Sequence, residues 1–404
     1  MVKKKRPILF ILATLMIDAI GIGIVFPIMP DLMARVGATD TGQGAFWAGV
    51  LMAAYAGALF LCGPIVGSIS DALGRRPVLI AALVMLAIDY VIMALAGNFW
   101  MLLLGRTLAG LAGATYITAT AYIADISSAK EKAANFGLIG AAFGIGFVLG
   151  PAIGGLAAEI SLTAPFWIAA ILSAANAFFG FFVLPESLSP EKRRPFGKRD
   201  LNPFGAIIDA FKMQVLAIPL LCIFLFEFAN MVYPTIWAFW TREVFDWPTL
   251  YIGLSLAVYG ILLAGVQGGL MPILIRWIGD YRTLMLGMIA ALIGMIGFGF
   301  TSTLTALVIF LILAALSDLV PAVMTAMTSN QVREDRQGVI QGVIASLSSV
   351  AAVLSPIVTT GLFQASVDGE GVYWPGAPFM FSAILVIIMM PLVIRLRSLS
   401  TDTR

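Results

Sequence analysis

The sequence predicts an all-α membrane protein of twelve transmembrane helices in two pseudo-symmetric six-helix halves. Three observations carry that expectation. Apolar stretches recur at membrane-spanning length, basic residues fall in alternate gaps between them, and landmarks repeat at one offset. Crossing a bilayer takes about 20 predominantly apolar residues. Such stretches lie at 7–32, 45–70, 77–97, 99–126, 133–158, 164–185, 213–240, 249–276, 281–301, 303–330, 336–366 and 374–397. Composition agrees: 60% of the 404 residues are hydrophobic and 11% charged, unlike any soluble domain of this length.

The 24 Lys and Arg supply the orientation. Lys3, Lys4, Lys5 and Arg6 open the chain. The gap after span 2 holds Arg75 and Arg76, and the gap after span 4 holds Lys130 and Lys132. The central gap holds Lys192, Arg193, Arg194, Lys198, Arg199 and Lys212. Arg276 and Arg282 follow span 8, Arg333 and Arg336 follow span 10, and Arg395, Arg397 and Arg404 close the chain. These make 21 on one side; only Arg35 and Arg242 lie opposite, and Arg106 lies within a span. The positive-inside rule puts both termini in the cytoplasm. Seven of the eight Trp, all but Trp277, sit near the opposite ends of spans, as an interfacial belt would.

Several functions are excluded. The first apolar stretch is too long for a signal peptide, contains Asp18 and precedes no small-residue cleavage site. Cys62 and Cys222 fall within spans and read as packing residues. The chain has no His, so proton chemistry falls to carboxylates and His-built metal sites are ruled out. No Gly-x-x-x-x-Gly-Lys-Ser/Thr loop occurs, which argues against ATP as direct energy source. No enzyme activity, cofactor, metal site or nucleic-acid partner is expected, only a bilayer, a small molecule and a proton gradient.

Residues 186–212 are polar, basic and proline-bearing and read as a cytoplasmic linker between halves 1–185 and 213–404. Shifting the chain by 205 puts Gly74 on Gly279, Gly137 on Gly342 and Pro151 on Pro356. Three coincidences at one offset favour duplication. Two such halves match the major facilitator architecture, with a substrate site near midplane where the halves meet.

The motifs carry a narrower resemblance. Gly67-Ser-Ile-Ser-Asp71-Ala-Leu-Gly74-Arg75-Arg76-Pro77 looks like the major facilitator loop between spans 2 and 3. Gly140-Ala-Ala-Phe-Gly144-Ile-Gly146-Phe-Val-Leu-Gly150-Pro151-Ala-Ile-Gly154-Gly155 looks like the antiporter motif of drug exporters. With Asp18-Ala-Ile-Gly21-Ile-Gly23, Asp89-Tyr90, Gly105-Arg106 and Ala124-Asp125, the first half closely resembles the tetracycline–proton antiporters. The second half resembles them more loosely, at Gly260, Gln267, Gln341-Gly342 and Pro356. That resemblance implies export of a small amphipathic drug, tetracycline-like, against entering protons. The drug would travel alone or as a magnesium chelate, through a monomer in a bacterial inner membrane. It also exposes two departures: Leu263 stands where the family has a span 8 histidine, and Ala291 where it has a span 9 aspartate. Glu227 and Asp318 are acids the family usually lacks. Coupling that has moved to other carboxylates, or a different substrate, accounts for these departures. The alternative function is therefore a proton-coupled or facilitative transporter of a small metabolite.

Each site residue has a functional and a plainer reading. Asp18, Asp89, Glu227 and Asp318 are intramembrane acids, which are functional by default and otherwise paired or permanently neutral. Arg106 demands a counter-ion, and a staple to Asp18 is the plain expectation. Tyr55, Asn230, Tyr233, Tyr259 and Gln267 are cavity liners or packing residues. Phe228, Met231 and Trp237 could stack on a flat substrate or simply pack. Gly67, Asp71, Gly74, Arg75, Arg76 and Asp125 read as ordinary flanking charge; the resemblance makes them a cytoplasmic gate, with Asp71 bonding an arginine and a helix N-terminus. Gly146, Gly150, Pro151, Gly154 and Gly155 give close packing and a bend, which the family places where the halves meet.

Overall fold

A computed structural model describes residues 2–113, 115–128, 131–197, 216–332, 337–369 and 371–401. Lys130, Lys198, Arg199, Lys212, Arg333, Arg336, Arg404 and the later part of the expected linker lie outside them. Twelve helices of spanning length are present among the described residues. They are α1 (Pro7–Arg35), α2 (Thr41–Leu73), α3 (Arg75–Leu95), α4 (Phe99–Ile126), α5 (Ala134–Ala158) and α6 (Ala164–Val183), then α7 (Ala217–Phe245), α8 (Thr249–Ile278), α9 (Asp280–Phe300), α10 (Leu304–Ser329), α11 (Val339–Val367) and α12 (Ala377–Arg395). Every expected stretch has its helix. The largest shift is at the end of α7, which runs past its apolar stretch through Arg242 to Phe245. It stops where Asp246 turns left-handed, at φ 51°: backbone geometry ends the helix, not polarity.

Four helices are irregular among the described residues, and three of the interruptions precede a proline by two or three residues: Pro234, Pro272 and Pro321. α4 breaks after Ala112 at Gly113 (φ −59°, ψ −10°), and α10 breaks at Asp318 (φ −71°, ψ −1°). The 205-residue offset maps one break onto the other. α7 breaks at Met231 (φ −60°, ψ −15°), and α8 carries a π-helical turn at Val266–Leu270. Such interruptions leave backbone polar groups free and gather at functional places.

The chain forms two compact units. The first comprises Met1–Ala38, Ala54–Pro203 and Trp247–Ala257; the second comprises Thr39–Ala53, Phe204–Asp246 and Val258–Arg404. In the first, α1 packs along α5, and α3 packs against α4 and α6. In the second, α7 packs along α11, and α9 packs against α10 and α12. The pairings repeat six helices apart, as duplication requires.

Glycine makes the α1–α5 seam. A Cβ at Gly146, Gly150 or Gly154 would sit 2.4, 2.7 or 2.6 Å from the carbonyl oxygens of Met16, Ile20 or Ile24. Residues four apart on one helix meet residues four apart on the other. Gly140 and Gly144, expected to share this packing, meet nothing within 4 Å, because the α5 seam lies further along the helix. Gly155 turns instead to Thr249 and Leu250, and Gly253 lies against Pro151, tying the start of α8 into the first unit. The repeat offset carries the Gly23–Gly150 approach onto Phe228 and Ser355. There the Ser355 hydroxyl donates to the Phe228 carbonyl at 2.7 Å. One seam is bare backbone; its counterpart is a hydrogen bond.

Candidate functional site

The turn between α2 and α3 is built on Gly74, whose φ of 112° favours glycine. A Cβ there would lie 2.4 Å from Glu186 Oε2. Glu186 sits over the α3 N-terminus. It accepts from the Arg75 N–H at 2.9 Å and the Arg76 N–H at 3.2 Å, groups a helix start leaves unpaired. Arg75 is buried and reads three acceptors: Asp71 at 2.5 Å, the Ser70 hydroxyl at 2.6 Å and Asp125 at 3.2 Å. Ser187 also donates to Asp125, at 3.1 Å. Arg76 reaches the Phe181 carbonyl at 2.5 Å and lies over that ring. Gly67 packs near Ile117. The expected charge cluster therefore exists, with one correction: the helix N-terminus is held by Glu186. Asp71 sits four residues before Arg75 on the preceding turn and is aligned with the side chain.

A second group lies inside the first unit. Asp89 is 0% exposed, and neither carboxyl oxygen has a hydrogen-bond partner. Gly105 makes room for it, since a Cβ there would fall 2.7 Å from Oδ1. Arg106 follows on α4, 7% exposed, with its guanidinium 4.8 Å from the Tyr55 ring centroid and Nη1 unpartnered. Asp18 is 5% exposed on α1. The expected Arg106–Asp18 ion pair is absent among the described residues. α4 lies on α2 through Gly110 and the Tyr55 backbone, and that docking directs Arg106 onto the Tyr55 face. The cation–π contact is worth about 0.5–2 kcal/mol and leaves the guanidinium edge free. A carboxylate without donors and a guanidinium with a free edge are thus both withdrawn from water, and among the described residues those atoms have no hydrogen-bond partner.

The third group lies inside the second unit. Asp318 is 8% exposed at the α10 break. Asn230, last residue before the α7 break, donates from Nδ2 to Asp318 Oδ1 at 3.2 Å, and the Tyr259 hydroxyl of α8 donates to Oδ2. Glu227 is half-buried one turn before Asn230. Asn230 Oδ1 and the Tyr233 hydroxyl are buried without partners. Gln267 stands apart: it is exposed in the π-helical turn and makes no side-chain hydrogen bond among the described residues. Trp237 belongs to a packed aromatic cluster with Trp240 and Phe298, and Ala291 is fully buried in the apolar core beside Met288 and Val320.

Sequence reading missed Glu186, Ser70 and Asp31, which accepts from Thr249 within the first unit. It undervalued Tyr259. The periodicity of α8 could have found that residue, since Tyr259 lies one turn before Leu263, the position of the missing histidine.

Twelve spans in two similarly paired sets of six helices, with interrupted helices and buried carboxylates among the described residues, are the architecture of a membrane transporter. The chain belongs to the Major Facilitator Superfamily, which residues 11–356 match. It is 38% identical to tetracycline resistance protein, class C, of Escherichia coli, over 96% of each chain. It is 33% identical to the class G protein of Vibrio anguillarum, over 94% of this chain and 95% of that one. The solved nucleoside transporter NupG shares the fold, with TM-score 0.79 at 14% identity over 97% of this chain and 99% of that one. The chain is thus a major facilitator transporter closely related to tetracycline/proton antiporters and multidrug efflux pumps.

Proposed function

We propose that the protein exports a small amphipathic, tetracycline-like drug in exchange for protons, by alternating access, across a bacterial cytoplasmic membrane with both termini inside. Halves 1–185 and 213–404 are the moving parts and 186–212 their linker. The observation that carries this reading is the unpartnered Asp89 carboxyl on α3, one helix from the unpartnered Arg106 edge. A buried ionic group left unpaired is costly, and a ligand carrying both donors and acceptors relieves that cost. Asp18 and Asp89 bind the cationic drug or its magnesium chelate in competition with protons, and Arg106 biases their charge state. Tyr55, Asn230, Tyr233 and Gln267 line the drug's route. Glu227 and Asp318 take over the coupling that the relatives place on the residues replaced by Leu263 and Ala291.

The Asp71–Arg75–Asp125 cluster, with Gly67, Gly74 and Arg76, acts as the cytoplasmic gate. The Gly146, Gly150, Pro151 and Gly154 seam keeps α1 and α5 rigid through the cycle, and Gly155 holds the start of α8 to the same helix. Everted vesicles with an acid interior and a fluorescent pH reporter test the reading. Tetracycline with magnesium should release protons, and Asp18→Asn should abolish the signal. A response to another drug alone keeps the mechanism and changes the substrate. Silence to a whole drug panel, in folded protein, favours a metabolite transporter, a reading that the buried apolar Ala291 motivates.

A further inference from the structure

Three helices of the second unit meet at the Asp318 carboxyl, and each of its oxygens is held by a neutral donor: Tyr259 at Oδ2 and Asn230 at Oδ1. Among the described residues no Lys or Arg is ion-paired with it. Two of the three helices break at the contact, α7 just after Asn230 and α10 at Asp318 itself. The titratable groups around it are Tyr259 from α8, and Glu227 and Tyr233 from α7, both within its electrostatic reach. α9 approaches with Gly287, against Leu316 and Leu319, and brings no charge.

The two donors differ in what they can do when a proton arrives. The Asn230 amide nitrogen only donates, so it serves Oδ1 in either state. A phenol both donates and accepts, after rotation about a single bond. With Asp318 ionised, Tyr259 donates to Oδ2. With a proton on Oδ2, the new O–H donates to the phenolic oxygen. The phenolic hydrogen then turns toward an acceptor, and Asn230 Oδ1 and the Tyr233 oxygen are both buried without partners. One proton is gained, and the Tyr259–Asp318 hydrogen bond is kept with its direction reversed.

Resting on the exchange reading above, we propose that the exchanged proton rides on Asp318 Oδ2 and that Tyr259 is the positioning residue that holds the carboxyl in both states. Glu227, on the preceding turn of α7, passes the proton to it.

The test uses the full chain in everted vesicles. It compares drug-driven proton release across pH with tetracycline counterflow, which needs no net proton movement. Tyr259→Phe should move the half-maximal pH of proton-coupled exchange about one unit to the alkaline side, a tenfold change in proton concentration. Counterflow should stay within about twofold of wild type. Asp318→Asn should abolish drug-driven release and keep counterflow. A Tyr259→Phe profile that superimposes on wild type overturns the proposal, as does equal loss of both activities, the mark of a merely structural role. If Tyr259→Phe does not reach the membrane, dicyclohexylcarbodiimide labelling of wild type replaces it, because that reagent attacks protonated carboxyls in apolar surroundings. Labelling of the Asp318 peptide that falls as pH rises supports the proposal, and its absence at every pH overturns it. Wild-type vesicles that release no proton with any drug overturn the exchange reading and this proposal together, whereas a normal wild type with an unshifted Tyr259→Phe profile removes only the latter.

Discussion

Asp89 and Asp318 are both buried acids in broken-helix bundles, yet their surroundings are opposite. Among the described residues Asp89 has no donor on either oxygen, and it lies on α3 beside the helix that carries Arg106. Asp318 has a donor on each oxygen and, among the described residues, no cation paired with it. A carboxyl that the protein leaves unsatisfied is fitted to receive a ligand from outside. One that neutral donors hold in place is fitted to change its proton without disturbing the helices around it. The two bundles share the same helix pairings, and on the proposed reading their side-chain chemistry divides the work between them.

The largest expected effect would break that comparison outright. Asp89→Asn should weaken drug binding about a hundredfold, the consequence of losing about 3 kcal/mol from a buried charge pair, while Asp318→Asn leaves binding within about twofold. Fluorescence titration of purified protein checks both, and equal losses would remove the division of labour. The two helix seams come next. Gly150→Ala should destabilise the protein by about 1–3 kcal/mol through overpacking, and Ser355→Ala by about 1 kcal/mol for one lost hydrogen bond. Thermal unfolding in detergent ranks them, and the reverse order would contradict the seam geometry.

The two turns then sharpen it. Gly74 and Gly279 both have positive φ, 112° and 79°, but a Cβ meets Glu186 at the first and nothing within 4 Å at the second. Gly279→Ala should cost about 1–3 kcal/mol of backbone strain and Gly74→Ala measurably more, in the same melting assay.

The smallest effect concerns Asp40, at the head of α2, and Asp368, just past α11, both in the second unit. Asp368 accepts from the Gly42 N–H at 3.2 Å, and Asp40 from the Gln43 N–H at 2.7 Å. Burial pushes the Asp368 carboxyl up to about 6, aided by its hydrogen bond with Asp40; that same bond and the Gln43 N–H hold Asp40 below the usual carboxylate range. A carboxyl raised on folding stabilises most below about pH 4, and that stabilisation is lost as pH rises through about 6. Melting temperature should therefore fall slightly over that window in wild type, and Asp368→Asn should flatten the slope. An unchanged slope would show that the two carboxyls share no proton.

The sequence made the spans legible because apolar length and charge placement are set by the bilayer, one residue at a time. The Asp71–Arg75 pairing was expected only through the resemblance of the loop motif, because the Gly74 turn separates the two residues onto different helices. Glu186 was not: it reaches Arg75 across 111 positions, and no local pattern marks a helix cap supplied from so far away. The breaks at Met231 and Asp318 had a local signal that went unread. Pro234 and Pro321 each stand three residues on, and a proline has no N–H for the carbonyl four residues earlier, here Asn230 and Ser317. Arg106 was misassigned because a cation's need for a partner is legible in sequence, whereas the aromatic face that met it depended on how α4 docks on α2.

The glycine seam between α1 and α5 also shapes how such a transporter can evolve. Any amino-acid substitution at Gly146, Gly150 or Gly154 adds at least one carbon where a carbonyl oxygen already stands within 2.4–2.7 Å. Selection by a new drug therefore finds no neutral first step along that seam. Slack on the same helix is left instead at positions such as Gly140 and Gly144, where an added carbon meets nothing within 4 Å.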